Sequence, residues 1–124
     1  MAKYVDGFVL LVPKKNLEAY KKMAKEGGKL WKEYGALDYK ECLIDDEKPQ
    51  GVAVTFRKLT QAKPSEVIVF SFITYRSKKQ RDEINAKVWA YYDKKYAGDE
   101  HPPMPFDMNR MSFAGFEAFV DMAS

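Results

Sequence analysis

Polar side chains inside otherwise apolar stretches are the residues of this sequence best suited to chemistry. Asp6 lies in the apolar stretch near the start of the chain, and Ser71 and Thr74 lie in a second one. Glu117 lies in the last such stretch. A buried carboxylate needs a partner, or its pKa rises. The carboxylates therefore either fix the register of a sheet or form a pocket that binds a ligand or transfers a proton, and the sequence leaves both open.

Arg110 stands next to the last apolar stretch, and we expect it to pair with Asp6, since the first and last strands are neighbours in the fold predicted below. The loop from His101 to Asp107 holds three prolines, which favour an ordered backbone. We expect Phe106 to be buried and Asp107 to accept hydrogen bonds. Three roles are open for this loop: it lines the mouth of a pocket, it contacts a partner subunit, or it is a rigid surface link between two elements. The candidate pocket residues are Asp6, Ser71, Tyr75, His101, Asp107, Arg110 and Glu117.

Metal and cofactor sites have little support in the sequence. His101 is the only histidine, and Asp99, Glu100 and His101 fall in the proline-rich loop, where exposed turn chemistry is the more common role. Glycine-rich dinucleotide and phosphate loops and the nucleophile-elbow pattern are absent, so no cofactor is expected. Cys42 is the only cysteine, which excludes an intramolecular disulfide and fits a reducing compartment. We interpret it as an inert, small apolar residue.

An aromatic strand gives the one hint of nucleic-acid binding. Phe70 and Phe72 alternate as in the third strand of RNA-recognition motifs. Ile68 and Val69, however, stand where that motif has a basic residue and a glycine. The net charge is only +3, from 21 basic and 18 acidic residues, and the charges are interleaved. No nucleic-acid partner is expected, and RNA binding is the weaker alternative.

The chain also lacks the sequence features of a secreted or membrane protein. Its first residues contain no long apolar segment, and no apolar run approaches the length that spans a bilayer. The sequence therefore predicts a cytoplasmic protein without a membrane partner. Its 124 residues suit a single domain, 1–124.

Hydrophobic periodicity and turn residues outline the elements that must position these side chains. They predict strands over 4–12, 36–44, 66–75 and 111–120, helices over 16–34 and 77–95, and a loop over 97–109. Ile84, Val88 and Tyr91 form the expected inward stripe of the second helix. Within residues 52–63, Val52, Val54 and Phe56 indicate a short extended piece, and residues 57–62 can form a helical turn. Gly27 and Gly28 indicate either a close approach of the first helix to the sheet or a kink.

The order β-α-β-β-α-β predicts an α+β, ferredoxin-like fold with a four-stranded antiparallel sheet. Its first and third strands are central. Both read as apolar on both faces, whereas the second alternates as an edge strand does. Helices can cover only one face, so we expect a homodimer that pairs through the other.

Several segments together resemble a known family. They are YVDGFVLLVPKKNLEAYKKMAK, GALDYKECLIDD, VIVFSFITY followed by RSKKQRDEINAKV, and MPFDMNRMSFAGFEAFVD. In this order they resemble the bacterial YbaA-like family, domain of unknown function 1428, over nearly the whole chain. The resemblance implies the dimeric α/β-barrel type of ferredoxin-like fold, and it implies no activity.

The functional interpretation follows from the fold and the apolar faces. The sequence favours a homodimeric protein with an apolar pocket that binds a small apolar or aromatic molecule, or a cofactor-independent enzyme that transforms it. The alternatives are a structural or regulatory dimer and, less favoured, a weak RNA-binding domain. An enzyme requires a convergent polar cluster in a cavity. A structural dimer has this space filled, and an RNA binder leaves an aromatic face of the sheet open.

Overall fold

The structure, a computed structural model, describes residues 3–98 and 103–122, and within them four strands form one antiparallel sheet in the order β2-β3-β1-β4. The elements are β1 (Tyr4–Pro13), a 3-10 turn (Lys14–Asn16), α1 (Leu17–Glu33), β2 (Asp38–Leu43), α2 (Phe56–Thr60), β3 (Glu66–Tyr75), α3 (Lys78–Lys95), a second 3-10 turn (Met108–Arg110) and β4 (Ser112–Glu117). The predicted α+β, ferredoxin-like architecture with β1 and β3 in the centre is confirmed. No helix of the described residues has the length and apolar character needed to cross a bilayer.

The helices α1 and α3 pack against one face of the sheet, which we call the helix face. Side chains of β1 and β3 alternate between faces, and those on the helix face form two buried clusters with the helices. Val12, Tyr75 and Val88 are completely inaccessible to solvent. The space between sheet and helices is therefore filled with side chains, as expected of a close-packed core.

The glycine pair in α1 reflects a close approach and not a kink, because α1 is a continuous helix. A Cβ atom on Gly28 would lie 2.9 Å from two ring carbons of Tyr39 in β2. Gly27 has more room, since its nearest neighbours would be 3.6 Å or more from an added Cβ. Only Gly28 is thus needed for the contact between α1 and the edge of the sheet.

The predicted start of α3 is confirmed, but its inward stripe needs correction. The Ser77 hydroxyl oxygen accepts a hydrogen bond from the backbone N–H of Gln80, as in a capping box. Val88 is buried as expected, whereas Tyr91 is exposed. Tyr92, four residues after Val88, packs on the core instead, because four residues bring a side chain back to the same helix face.

Residues 44–65, which we call the connector, join β2 to β3. The extended piece considered for this segment forms no strand among the described residues, and the helical turn is the short helix α2. The Thr55 hydroxyl oxygen caps this helix by accepting from the N–H of Lys58. Arg57 donates to the carbonyl oxygens of Lys63 and Glu66, which ties α2 to the start of β3.

The second face of the sheet, which we call the open face, is apolar along its centre. The strand positions on it are Val5, Gly7, Val9, Leu11 and Pro13 of β1, Glu66, Ile68, Phe70, Phe72 and Thr74 of β3, Asp38, Lys40 and Cys42 of β2, and Ser112, Ala114 and Phe116 of β4. Leu11 and Ile68 are buried at the connector end of the sheet, whereas Phe70 and Phe116 are 43% and 57% exposed. The two apolar faces expected of β1 and β3 are present, and much of the second is open in one chain.

The two glycines of α1 provide a matched pair of substitutions. We expect Gly28→Ala to lower the free energy of unfolding by about 1–3 kcal/mol, because the new methyl group collides with the Tyr39 ring. We expect Gly27→Ala to raise it by up to about 1 kcal/mol, because alanine favours the helix and fits there. Urea unfolding followed by circular dichroism measures both, and equal effects of the two variants would contradict the close approach at Gly28.

Candidate functional site

Two of the candidate residues meet in the most deeply buried polar contact of the described core. Asp6 on β1 is 1% exposed, and its Oδ2 accepts a hydrogen bond of 3.0 Å from the hydroxyl of Tyr75. Tyr75 ends β3 and is fully buried. Both side chains lie on the helix face, so the contact sits beneath α3.

Arg81 on α3 completes this cluster. Its Nε is 3.6 Å from Oδ1 of Asp6, and among the described residues neither atom has a hydrogen-bond partner, although both are buried. The Arg81 Nη2 donates to the Tyr4 hydroxyl at 3.1 Å, and the guanidinium lies over the Tyr4 ring. Gly115 of β4 makes room for this stack, because a Cβ there would be 2.5 Å from the Tyr4 hydroxyl oxygen.

A hydrogen-bonded link continues from the cluster to α1. The Trp31 indole Nε1 donates to Oδ1 of Asn85 at 3.1 Å. The Tyr75 hydroxyl lies 3.4 Å from the same oxygen. Side chains of β1, β3, α1 and α3 therefore meet in one polar network, which fixes how the two helices sit on the sheet.

The charges in this cluster are set by burial. Burial raises the pKa of Asp6, and the nearby Arg81 guanidinium and the Tyr75 hydrogen bond lower it only in part. Burial and the Asp6 carboxylate together raise the pKa of Tyr75. Tyr75 is thus a neutral donor, and Asp6 is a carboxyl group that binds a proton more readily than usual. Chemically, the pair can hold a proton, but its place beneath α3 isolates it from the open face.

The predicted pair of Asp6 with Arg110 is wrong. Asp6 lies opposite Gly115, whereas β4 begins opposite Val9, so Arg110 stands near the far end of β1. There Arg110 forms an ion pair with the buried Glu66. Burial raises the pKa of Glu66, but the hydrogen bonds from Arg110 and from the Lys63 N–H outweigh burial, and the net pKa is lowered.

The other candidate side chains are dispersed. Ser71 is buried on the helix face of β3, opposite Phe8. Glu117 lies across from Tyr4 and is exposed. Cys42 is exposed on the open face, opposite Phe70. The candidates are therefore not assembled into one pocket by the described structure.

The end of the long loop is ordered by contacts with the core. Phe106 is 8% exposed and packs edge-on against Tyr20, with ring centroids 5.7 Å apart. Oδ1 of Asp107 accepts from the N–H of Asn109. The expected burial of Phe106 and hydrogen bonding of Asp107 are confirmed. His101, Asp99 and Glu100 lie outside the described residues.

A second carboxylate cluster lies between α1 and β2. The Tyr20 and Tyr39 hydroxyls donate to the two carboxylate oxygens of Glu41, at 2.7 and 2.6 Å. Burial, followed by the effect of Glu41, raises the pKa of both tyrosines. The two hydroxyls satisfy the carboxylate, and the arrangement anchors the edge strand to the helix.

Comparison with known proteins agrees with the family resemblance. The family model described as "Protein of unknown function (DUF1428)" matches residues 3–108. The chain belongs to this family. The Escherichia coli K12 protein named "Uncharacterized protein YbaA" is 43% identical over 119 residues, which cover 96% of this chain and 98% of the relative. The Shigella flexneri protein of the same name matches equally.

Solved structures support the fold of this DUF1428 member. A dimeric ferredoxin-like protein from an uncultured marine organism has a TM-score of 0.58 at 10% identity, covering 98% of this chain and 100% of the other. A putative antibiotic biosynthesis monooxygenase from Nitrosomonas europaea has a TM-score of 0.54 at 10% identity, with 98% and 95% covered. At this identity, the likeness shows a shared fold and no shared activity.

Sequence reasoning missed half of the Asp6 cluster. Arg81 and Asn85 are four residues apart on α3 and flank the buried Ile84. A polar pair at this spacing beside an apolar stripe could have been recognised as facing the sheet. Its partner Asp6 could not have been named, because only the packing of α3 on β1 brings them together.

The raised pKa of Asp6 predicts a particular pH dependence of stability. A carboxyl group whose pKa is raised above its ordinary 3.8 contributes stability that is complete below that value and is lost as the pH rises through the folded pKa. Asn cannot ionise, so we expect Asp6→Asn to become more stable relative to wild type as the pH rises from about 3 to about 7.

Urea unfolding of both proteins across this range measures the difference. Asp93→Asn, on the exposed surface of α3, is the control for a general effect of losing a carboxylate. A difference that shrinks with rising pH would show that the attraction of Arg81 outweighs the cost of burial.

Proposed function

We propose that this protein is a homodimer whose two open faces lie against each other and bind a small apolar or aromatic molecule between them. The observation that supports this proposal is the open face itself. Phe70 and Phe116 remain 43% and 57% exposed, whereas the other face of the two central strands packs against the helices. A contiguous apolar surface of this kind marks an interaction site.

The centre of the open face combines aromatic rings with small side chains. The Phe70 and Phe72 rings lie 6.0 Å apart. Gly7 and Ala114 are paired in neighbouring strands, and the Phe116 ring comes within 3.3 Å of the position of a Cβ on Gly7. The Phe116 ring thus lies over Gly7, and two such faces in contact would offer a ligand aromatic walls on both sides.

The helix side of the sheet is less suited to hold a ligand. Its two clusters fill the space between sheet and helices with buried side chains. A depression of about 490 Å³ beside Gly28 and Tyr39 is open to solvent and lies against Lys29, Lys32 and Glu33 on the surface of α1. Neither location provides an enclosed apolar site.

We favour binding over catalysis because the buried carboxyl group and the open face are separated. Asp6 and Gly7 are consecutive in β1, so Asp6 points to the helix face and Gly7 to the open face. A ligand between the two sheets would not touch Asp6. The ionisable side chains at the described strand positions of the open face are Asp38, Lys40 and Cys42, near its edge, and Glu66, which is buried against Arg110 at the connector end.

RNA binding would also use an open aromatic face, but the charge of this face opposes it. Among its described strand positions Lys40 is the only basic residue, and it forms an ion pair of 2.6 Å with Asp38. Phosphate groups require several free cationic side chains. Pairing of two open faces covers the aromatic side chains and requires no such charges.

Substitution on the open face tests the dimer. We expect Phe72→Glu to convert the dimer to a folded monomer, because it places a charge in the apolar interface and not in the core beneath the helices. Sedimentation measures the mass, and circular dichroism measures the fold. Trp89→Glu is the matched control, since Trp89 is 60% exposed on α3. A wild-type protein that stays at 14.3 kDa at micromolar concentration contradicts the dimer.

Titration with the apolar fluorophore N-phenyl-1-naphthylamine tests the ligand site. We expect saturable binding to the wild-type dimer and at least about tenfold weaker binding to Phe70→Ala, because one aromatic wall is lost. Trp89→Ala should bind as wild type does. A dimer without saturable binding would leave the structural dimer as the better interpretation, and tight, salt-dependent binding of single-stranded RNA instead would replace both.

A further inference from the structure

Exposed apolar side chains extend beyond the open face at both ends of the sheet. Residues 118–122, which we call the arm, follow β4, and Phe119 and Met122 in it are 94% and 90% exposed. The connector carries a second set, in which Val54 and Leu59 are 58% and 69% exposed. Each set is too apolar to favour contact with water.

The arm and the connector of one chain lie at opposite ends of the sheet. The N–H of Ala118 donates to the carbonyl of Lys3, just before β1 begins. The connector ends at Ser65, whose carbonyl accepts from the N–H of Lys14, just after β1 ends. The ten residues of β1 separate the two by about 30 Å. The arm cannot cover the connector of its own chain.

The connector also reaches the edge of the sheet that is formed by β4, the strand from which the arm continues. Arg110, which precedes β4, donates from Nη2 to the carbonyl of Gln61, directly after α2. Leu59 stands two residues away from this contact. The exposed side of α2 is therefore close to the start of β4, at the end of the sheet remote from the arm.

Two facing sheets can be related by a two-fold axis that lies between them. If this axis is perpendicular to the strands, the strands of the two subunits run in opposite directions. This arrangement would bring the arm of each subunit to the connector end of its partner, beside β4. An axis parallel to the strands would bring both arms to the same end and leave both connectors uncovered. Only the first arrangement covers both apolar sets, and it does so twice by symmetry.

The exposed apolar area is large enough for an interface of this extent. The charges do not decide the direction of the axis, because within one chain Asp121 already pairs with Lys3 and Arg57 with Glu47. The exposed phenylalanines of the open face, arm and connector, together with the neighbouring aliphatic side chains, expose on the order of 1,000 Å² per subunit, taking about 150–250 Å² for each fully exposed aromatic side chain. A stable dimer needs about 800 Å² per partner.

We propose that, in the dimer, the arm of each subunit packs on the connector of its partner. Phe119 and Met122 then lie against Val54 and Leu59 of the partner chain. The inference rests on the proposed pairing of the open faces and adds the direction of the two-fold axis and an exchanged segment. It also makes the ends of the interface depend on side chains that are exposed in a single subunit.

Cysteine cross-linking tests the direction of the axis, in a Cys42→Ser background. We expect the double variant Leu59→Cys, Val120→Cys to form a covalent dimer under mild oxidation, and Val120→Cys alone to form none. The separation within one chain excludes an intramolecular disulfide. A covalent dimer from Val120→Cys alone would show that the arms meet each other and would overturn the proposal.

A second measurement does not depend on disulfide geometry. We expect Phe119→Ser with Met122→Ser to raise the dissociation constant of the dimer at least about tenfold, since two exposed side chains lose their contacts. Trp89→Ser is the control and should leave it unchanged. If the dissociation constant is unchanged in the variant with Phe119→Ser and Met122→Ser, the exchanged arm is refuted and the proposed dimer stands. If the wild-type protein is a monomer, the exchanged arm and the proposed dimer are both refuted.

Discussion

The organisation of this protein depends on one constraint, which is that its sheet is apolar on both faces and its long helices cover only one. The crossovers from β1 to β2 and from β3 to β4 each join parallel strands, and right-handed crossovers place α1 and α3 on the same side. No rearrangement within this topology moves a helix to the other face. The exposed aromatic side chains there are thus a consequence of chain handedness, and the cover has to come from elsewhere.

The sheet also divides the polar chemistry from the apolar surface. On the helix face, Asp6, Tyr75 and Arg81 form a network beneath α3 that links the helix to the central strands. On the open face, the neighbours of Asp6 in β1 are Val5 and Gly7. Because side chains alternate along a strand, a buried carboxyl group and a half-buried glycine of the open face can be neighbours in sequence and still belong to different environments.

Polar contacts hold the two ends of the sheet in different ways. At one end, Tyr4 and Arg81 pack over Gly115, which joins α3 to the edge strand β4. At the other end, Arg110 connects β4 to Glu66 of β3 and to the connector. Arginine suits both positions, because its planar group can bond several acceptors at once. These contacts fix where the arm and the connector stand relative to the open face.

Local patterns were sufficient to predict the four strands and the two long helices, their order, the two apolar faces of β1 and β3, and the burial of Phe106, whereas they leave the conformation of residues 52–63 open. Periodicity and capping are properties of adjacent residues, so they can be recognised without a structure.

The partner of Asp6 could not be predicted in this way. The register of β1 against β4 places Asp6 opposite Gly115 and leaves Arg110 at the far end, and the packing of α3 supplies Arg81 instead. Likewise, Gly28 could be recognised as unusual, but only the Tyr39 ring beside it explains why it is a glycine. Contacts between residues distant in sequence depend on register and packing, and these are decided by the whole fold.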